Sequence, residues 1–285
     1  MRDTNPIIST LTQTRPGDLV VLGAPWEEGS SYLRGTAQGP ARIRQALLSP
    51  ARSLVAESGA DLSQDDRFCL LGDLALTSQD QCVQALEGAA DEVLIHGGRL
   101  LTLGGDHSIT VGLVRAYARH FPQLTLLQVD AHPDLYDEYE GDRWSHACPM
   151  ARILEEGLVH RLIQVGIRAM TPEQQTLADR YGVEVVEIRS WGNGALEGLG
   201  LTGPLYLSLD LDGLDPAFAP GVSHPEPGGL TTRQTIGLLQ TLPGPIVGAD
   251  LVELNPMQDP YGLTAVLAGK LVKEIAVRLL QEPIP

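Results

Sequence analysis

The chain has 285 residues, a formal net charge of −16, 43% hydrophobic residues and 20% charged residues. Such acidity argues against a nucleic-acid partner, which needs a basic surface, and the length suits one large α/β unit with a sizeable core. No apolar run reaches the roughly 18 residues of a membrane span. The opening Met1-Arg-Asp-Thr-Asn-Pro6 lacks the apolar centre of a signal peptide. Cys69, Cys82 and Cys148 show no CxxC spacing and cannot all pair, so a reduced, cytoplasmic setting is expected. The negative excess either serves solubility alone or also steers cationic rather than anionic ligands towards the chain.

Apolar runs alternate with helical patterns from start to end. Residues 18–24 read as a strand, followed by a Gly/Ser-rich loop to Gly35 and a helix from Ala41 to Leu48 behind Gly39-Pro40. A strand at 68–73, a helix at 80–96 and a strand at 100–103 follow. Then come a helix from Ser108, read as its N-cap, to His120 and a strand at 124–129. The second half predicts a helix at 146–156, a strand at 161–166 and a helix at 171–181 with Pro172 at its first position. Strands at 183–188 and 205–209 come next, then a helix at 231–242 capped by Thr231 or Thr232. A strand at 245–251 and a long helix at 264–280 close the pattern. Strands alternating with helices predict α/β class, a three-layer αβα domain over residues 1–285 with a central, mostly parallel sheet.

In such folds, ligands bind beyond the carboxyl ends of the strands. His107, Asp130 and Asp210 fall at or just after such ends, as do Trp26, Asp73, Gly166 and Glu253. Around them lie three polar clusters: Gly104-Gly-Asp-His107-Ser108, Asp130-Ala-His132-Pro-Asp134, and Ser208-Leu-Asp210-Leu-Asp212-Gly-Leu-Asp215-Pro216. Buried carboxylates at strand ends are costly unless cations neutralise them, and Asp210 and Asp212 at i and i+2 would repel. Oxygen donors with one or two imidazoles suit Mn²⁺ and similar ions. The six donors His107, Asp130, His132, Asp134, Asp210 and Asp212 carry four negative charges, which balance two divalent ions. Asp215-Pro216 reads as the start of the following turn. Two ions sharing a water would lower its pKa and favour hydrolysis.

In order and spacing, these three clusters resemble the signatures of the ureohydrolases, the superfamily of arginase, agmatinase, guanidinobutyrase and formiminoglutamase. The similarity runs from about Val20 to the final helix. The continuation Pro216-Ala-Phe-Ala-Pro-Gly-Val-Ser-His224-Pro-Glu-Pro-Gly-Gly-Leu230 resembles the agmatinase and plant-type arginase branch. The resemblance implies an arginase-like fold and two Mn²⁺ ions, with Ni²⁺ fitting the same ligands. His107 and Asp134 would hold one ion and His132 and Asp212 the other, with Asp130 and Asp210 bridging. It also implies His146 as a catalytic proton shuttle, Glu253 as the catalytic-site carboxylate that binds the guanidinium, and a homo-oligomer, often a trimer or hexamer. A guanidinium offers a planar fork of donors that a carboxylate matches.

Departures concentrate near the substrate. Asp142-Arg-Trp-Ser145 stands where animal arginases carry Ser-Gly-Asn, Ser223-His-Pro225 where agmatinases often carry Gly-Thr-Pro, and Ala147 where Gly is common. The acidic and aromatic loops 26–32 and 136–142 suit a small cationic tail. Agmatine, cleaved to putrescine and urea, is therefore the expected substrate. Arginine, free guanidine, guanidinobutyrate and guanidinopropionate are alternatives. A dimetal phosphohydrolase and a non-catalytic metal-binding relative are the readings from other classes. No nucleic-acid or membrane partner is expected.

Overall fold

The computed structural model describes residues 6–192 and 199–281; the first five residues of the N-terminal stretch read above lie outside them. Eight parallel strands form one sheet among the described residues. They are β1 (Leu19–Ala24), β2 (Phe68–Asp73), β3 (Arg99–Gly104), β4 (Thr125–Val129), β5 (Arg161–Val165), β6 (Glu184–Val186), β7 (Leu205–Asp210) and β8 (Ile246–Val252), in the order β2-β1-β3-β8-β7-β4-β5-β6. The helices are α1 (Pro6–Leu11), α2 (Gly39–Leu47), α3 (Gln79–Ile95), α4 (Thr110–His120), α5 (Pro149–Glu155), α6 (Pro172–Tyr181), α7 (Thr232–Thr241) and α8 (Leu263–Gln281). No described helix is long and apolar enough to cross a membrane.

Side chains of a strand point alternately to its two faces, and the two cores follow that alternation. Leu19, Val21, Leu101, Leu103, Leu127, Leu207 and Leu251 pack with α2, α7 and α8. Val20, Leu22, Leu100, Leu126, Leu162 and Tyr206 pack with α3, α4 and α5 on the other face. The expected three-layer αβα architecture is present. The chain builds β1–β3, jumps to β4–β6, and returns to fill the gap with β7 and β8. The central strands are therefore β3, β8, β7 and β4, whose carboxyl ends come from four distant parts of the sequence.

On the face covered by α3–α5, a row of registered partners turns polar just below those ends. Gln164 pairs with Gln128, Gln128 with Ser208, Ser208 with Asp250, and Asp250 with Thr102. All five are buried. A polar row inside a core persists only when its members satisfy one another or a ligand.

Most element ends shift by one or two residues from the sequence pattern, and the instructive departures have local causes. Asp106, not Ser108, caps the helical start: its carboxylate accepts the Ser108 N–H at 3.0 Å above a 3₁₀ turn at His107–Ile109, and α4 begins at Thr110. His146 lies before a helix rather than in one, because Pro149 has no N–H and disfavours a helical Cys148. Strand β6 is short: Val183 N–H donates to Ala178 O at the end of α6, and a 3₁₀ turn begins at Ile188. The short α1 carried no recognised signal. By contrast, Thr171 and Thr231 form capping boxes with Gln174 and Gln234.

Close backbone approach fixes the turn after β3. A Cβ on Gly105 would lie 1.8 Å from the Trp26 carbonyl oxygen, and Asp106 N–H donates to that oxygen at 2.8 Å. Buried Trp26 thus supports the site turn rather than lining the site. Gly105→Ala is expected to destabilise the fold by about 2 kcal/mol or more, read as a lowered midpoint in urea denaturation.

Candidate metal centre

The three clusters share one local device. Asp106 Oδ1 accepts from Ser108 N at 3.0 Å, Asp130 Oδ1 from His132 N at 2.6 Å, and Asp210 Oδ1 from Asp212 N at 2.7 Å. An aspartate that bonds the N–H two residues on folds the chain into a tight turn. At β4 and β7 this brings residues i and i+2 to the same side of the strand end, which explains the Asp-x-His and Asp-x-Asp spacings. A Cβ on Gly213 would lie 2.9 Å from Asp130 N, so the β7 and β4 turns can touch only because that residue is glycine. Arg168 then staples the loops, donating to the carbonyls of Gly166, Asp212, Gly213, Leu214 and Glu226.

All six predicted donors converge. His107 Nδ1 lies 3.0 Å from Asp134 Oδ2, 3.1 Å from Asp130 Oδ2 and 3.3 Å from Asp210 Oδ2. His132 Nδ1 lies 3.1 Å from Asp212 Oδ2 and 3.6 Å from Asp130 Oδ1. Donor atoms of His107, Asp130 and Asp210 lie within 4.8 Å of one another, as do those of Asp130, His132 and Asp212. Asp130 therefore belongs to both groups. Asp134 reaches His107 with φ 50°, a left-handed conformation that is unfavourable for an aspartate. His107 Nδ1 is fully buried without a hydrogen-bond partner. An orphaned imidazole nitrogen facing three carboxylates, beside a second His/Asp group, fits a pair of borderline-hard divalent cations.

The electrostatics agree. Burial raises Asp134 to about 7, aided by Asp130, and pushes Asp210 well up, aided by Asp212 and Asp130. Burial would raise Asp130 too, but His107 and His132 outweigh it and hold that carboxyl below the usual range. Burial would lower His132, yet Asp212 and Asp130 push it up to about 12. His107 likewise rises, with Asp130, Asp134 and Asp210 outweighing its burial. The protein alone therefore neutralises its carboxylates partly with protons on the two imidazoles.

Behind His107 runs a relay that the sequence reading missed. His107 Nε2 meets Ser208 Oγ at 2.8 Å, Ser208 donates to Asp250 Oδ1 at 2.7 Å, and Tyr206 and Thr110 donate to Asp250 Oδ2. Since the serine proton is spent on Asp250, Ser208 accepts from Nε2–H and leaves Nδ1 to face the carboxylates. Similarly, Gln128 donates to Asp130 Oδ2 at 2.7 Å and is itself held by Gln164 at 2.7 Å. The available signal was a polar residue inside an apolar strand, at Gln128, Ser208 and Asp250.

A cavity of about 180 Å³ opens over the centre, lined by His132, Asp134, Asp210, Asp212, His146, His224, Glu253, Ser31, Tyr136, Tyr139, Ala147, Ala169 and Gln174. Both predicted catalytic residues are present. Glu253, at φ 67° just after β8, accepts the His107 N–H at 2.9 Å and lies 3.7 Å from His146 Nδ1. Burial pushes its carboxyl well up and pushes His146 down to about 3. His146 Nε2 meets Ser31 Oγ at 2.9 Å. Asp73 is not part of the site: it pairs with Arg44 at 2.6 Å on the outer strand β2. Gly166 instead makes room, since its Cβ would lie 3.0 Å from Asp130 O.

A profile described as the Arginase family matches residues 17–277. The chain belongs to the arginase family. It is 40% identical over 278 residues to "Arginase, mitochondrial" of Medicago truncatula, covering 91% of this chain and 81% of that protein. It is 35% identical to a guanidinobutyrase of Pseudomonas aeruginosa, covering 90% of this chain and 85% of the relative. The solved arginase from Medicago truncatula superposes with a TM-score of 0.86 at 34% identity, over 96% of each chain. The protein is therefore a metal-dependent amidinohydrolase that acts on C–N bonds of guanidino compounds, with an arginase-like fold.

Two outcomes follow for this arginase-family centre. Ligating imidazoles must be neutral, whereas His132 carries a proton up to about pH 12 in the protein alone. Ion uptake at pH 8 is therefore expected to release protons, and affinity to rise with pH. Titration calorimetry in buffers of different ionisation enthalpy reads this, and a heat independent of the buffer would contradict it. Asp250→Asn, which weakens the hold on Ser208, is expected to lower ion affinity about 10–100-fold with little change in substrate KM at saturating metal.

Proposed function

We propose that this chain hydrolyses L-arginine to urea and ornithine at a pair of Mn²⁺ ions held by His107, Asp130, His132, Asp134, Asp210 and Asp212, a donor set that Ni²⁺ also suits. The bound ion pair supplies an activated water and Lewis acidity. The observation that carries hydrolysis is the doubled His/Asp group at one cavity floor, with Asp130 common to both halves. The protein's own groups do the rest. Glu253 stands at the cavity wall with a planar carboxylate for the guanidinium, and an arriving cation favours its ionised form. Its Oε1 is fixed by the His107 N–H, so its orientation is set before substrate enters.

His146 is neutral near pH 7 because burial depresses it to about 3. It would therefore take up the proton that the attacking water gives up and pass it to the departing amine. Its Nδ1 side faces Glu253 and its Nε2 side is hydrogen-bonded to Ser31. Arginine is supported by the 40% identity to the Medicago arginase across nine-tenths of this chain. Its head group would meet neutral donors, the hydroxyls of Tyr136, Tyr139 and Ser31 and the Gln174 amide.

A second reading, agmatine, is favoured by one observation: among the described residues, the cavity lining holds no Lys or Arg to meet an α-carboxylate. Urea release from arginine, agmatine, guanidinobutyrate, guanidinopropionate and guanidine, each with Mn²⁺ and with Ni²⁺, separates them. Arginine is expected to exceed agmatine at least about tenfold in kcat/KM, or about 1.4 kcal/mol. The reverse ranking selects agmatine, and no urea from any compound selects a non-catalytic relative. Asp130→Asn and Asp210→Asn are each expected to lose bound metal and nearly all turnover, checked by metal analysis beside the urea assay. Wild-type turnover with full metal content in either variant would refute the ligand assignment.

A further inference from the structure

His224 is a cavity residue to which neither the cation pair nor the guanidinium assigns a task. Its ring stacks on His146, with centroids 4.6 Å apart and an interplanar angle of 25°. Its other ring neighbours are Tyr32 at 5.7 Å and His132, edge-on, at 6.3 Å. The backbone that carries it is firmly seated. Ser223 is fully buried, donates to Leu33 O at 2.8 Å and accepts from Asn255 Nδ2 at 3.0 Å. Asn255, also fully buried, donates to Leu33 O and Arg34 O. His224 thus projects from a segment tied both to the loop after β1 and to the chain just beyond β8.

His146 is held less completely. Its backbone is fixed by Gly29 O at 2.9 Å, but its ring has one close polar contact, the hydroxyl of exposed Ser31. The contact with Glu253 is longer, at 3.7 Å. One hydrogen bond to a loop residue leaves an imidazole free to turn about its last side-chain torsion, which is broad. A parallel ring against its face removes that freedom, and aromatic stacking supplies the restraint.

We propose that His224 is a positioning residue that braces the His146 imidazole between Ser31 and Glu253, so that proton delivery to the departing amine depends on the stack. The proposal rests on the reading of His146 given above. It also accounts for a histidine at a position where many agmatinases carry threonine: a flat ring there does what a hydroxyl cannot.

Three proteins test it: wild type, His224→Ala and His224→Phe, each compared by urea release, metal content and the crystallographic position of His146. His224→Ala is expected to lose about tenfold in kcat, with KM within about twofold and metal content unchanged. Its His146 ring is expected to turn away from Ser31. His224→Phe keeps a stacking face and is expected to recover most of kcat, with His146 in place. Wild-type kcat in His224→Ala overturns the proposal, as does a change in KM alone, which would make His224 a substrate wall. Equal impairment in both variants overturns it too, because the nitrogen rather than the stack would then matter. If wild type releases no urea from any guanidino compound, the functional reading fails separately. The ring positions then still decide the bracing: His146 displaced only in His224→Ala supports it, and His146 unmoved in both refutes it.

Discussion

The centre depends on holding four carboxylates and two imidazoles together out of water. Asp130, Asp134 and Asp210 all place an oxygen within 3.3 Å of one buried nitrogen of His107. Two carboxylates about 4 Å apart repel by about 4 kcal/mol at an effective dielectric near 20. Protons on the imidazoles relieve part of that cost, and a pair of divalent cations relieves it fully. The surrounding structure reads as support for that concentration of charge. Gln128 and Gln164 anchor Asp130, Ser208 and Asp250 orient His107, and Arg168 gathers the loop carbonyls.

Sheet order makes the convergence possible. Because β7 and β8 enter between β3 and β4, the four strands that end at the site lie side by side. Each delivers its polar group in the first residues beyond its end, where the sheet no longer competes for backbone hydrogen bonds. The fit still requires local concessions. Gly105 and Gly213 accept backbone at distances no side chain tolerates, and Asp134 and Glu253 adopt left-handed conformations, each at a cost of order 1 kcal/mol. Asp134 and Glu253 line the cavity, whereas Glu140, at φ 53°, lies exposed outside it.

The cavity above the centre separates tasks by environment. The candidate ligands His132, Asp134, Asp210 and Asp212 form its floor, and Glu253, a neutral His146, Tyr136 and Tyr139 line the rest. The floor is what an amidinohydrolase of this family needs whatever its substrate. The hydroxyls of Tyr136, Tyr139 and Ser31 and the Gln174 amide complete the lining among the described residues.

His146 and Glu253 were legible only through the family motifs; by itself the sequence determined the layer architecture and marked six candidate donors. These are local facts: side-chain alternation sets a strand's faces, and an aspartate bonding the N–H two residues on needs only three consecutive residues. It also carried the family motifs, and hence the class of reaction. Only the tertiary structure decided that Asp134 meets His107, that Asp250 two hydrogen bonds away orients it, that His146 stands in a loop and that His224 stacks upon it. Such contacts join distant segments, 140 residues apart between Thr110 and Asp250 and 146 between His107 and Glu253. Their geometry depends on which strand lies beside which, and alternation along one strand contains no information about its neighbour.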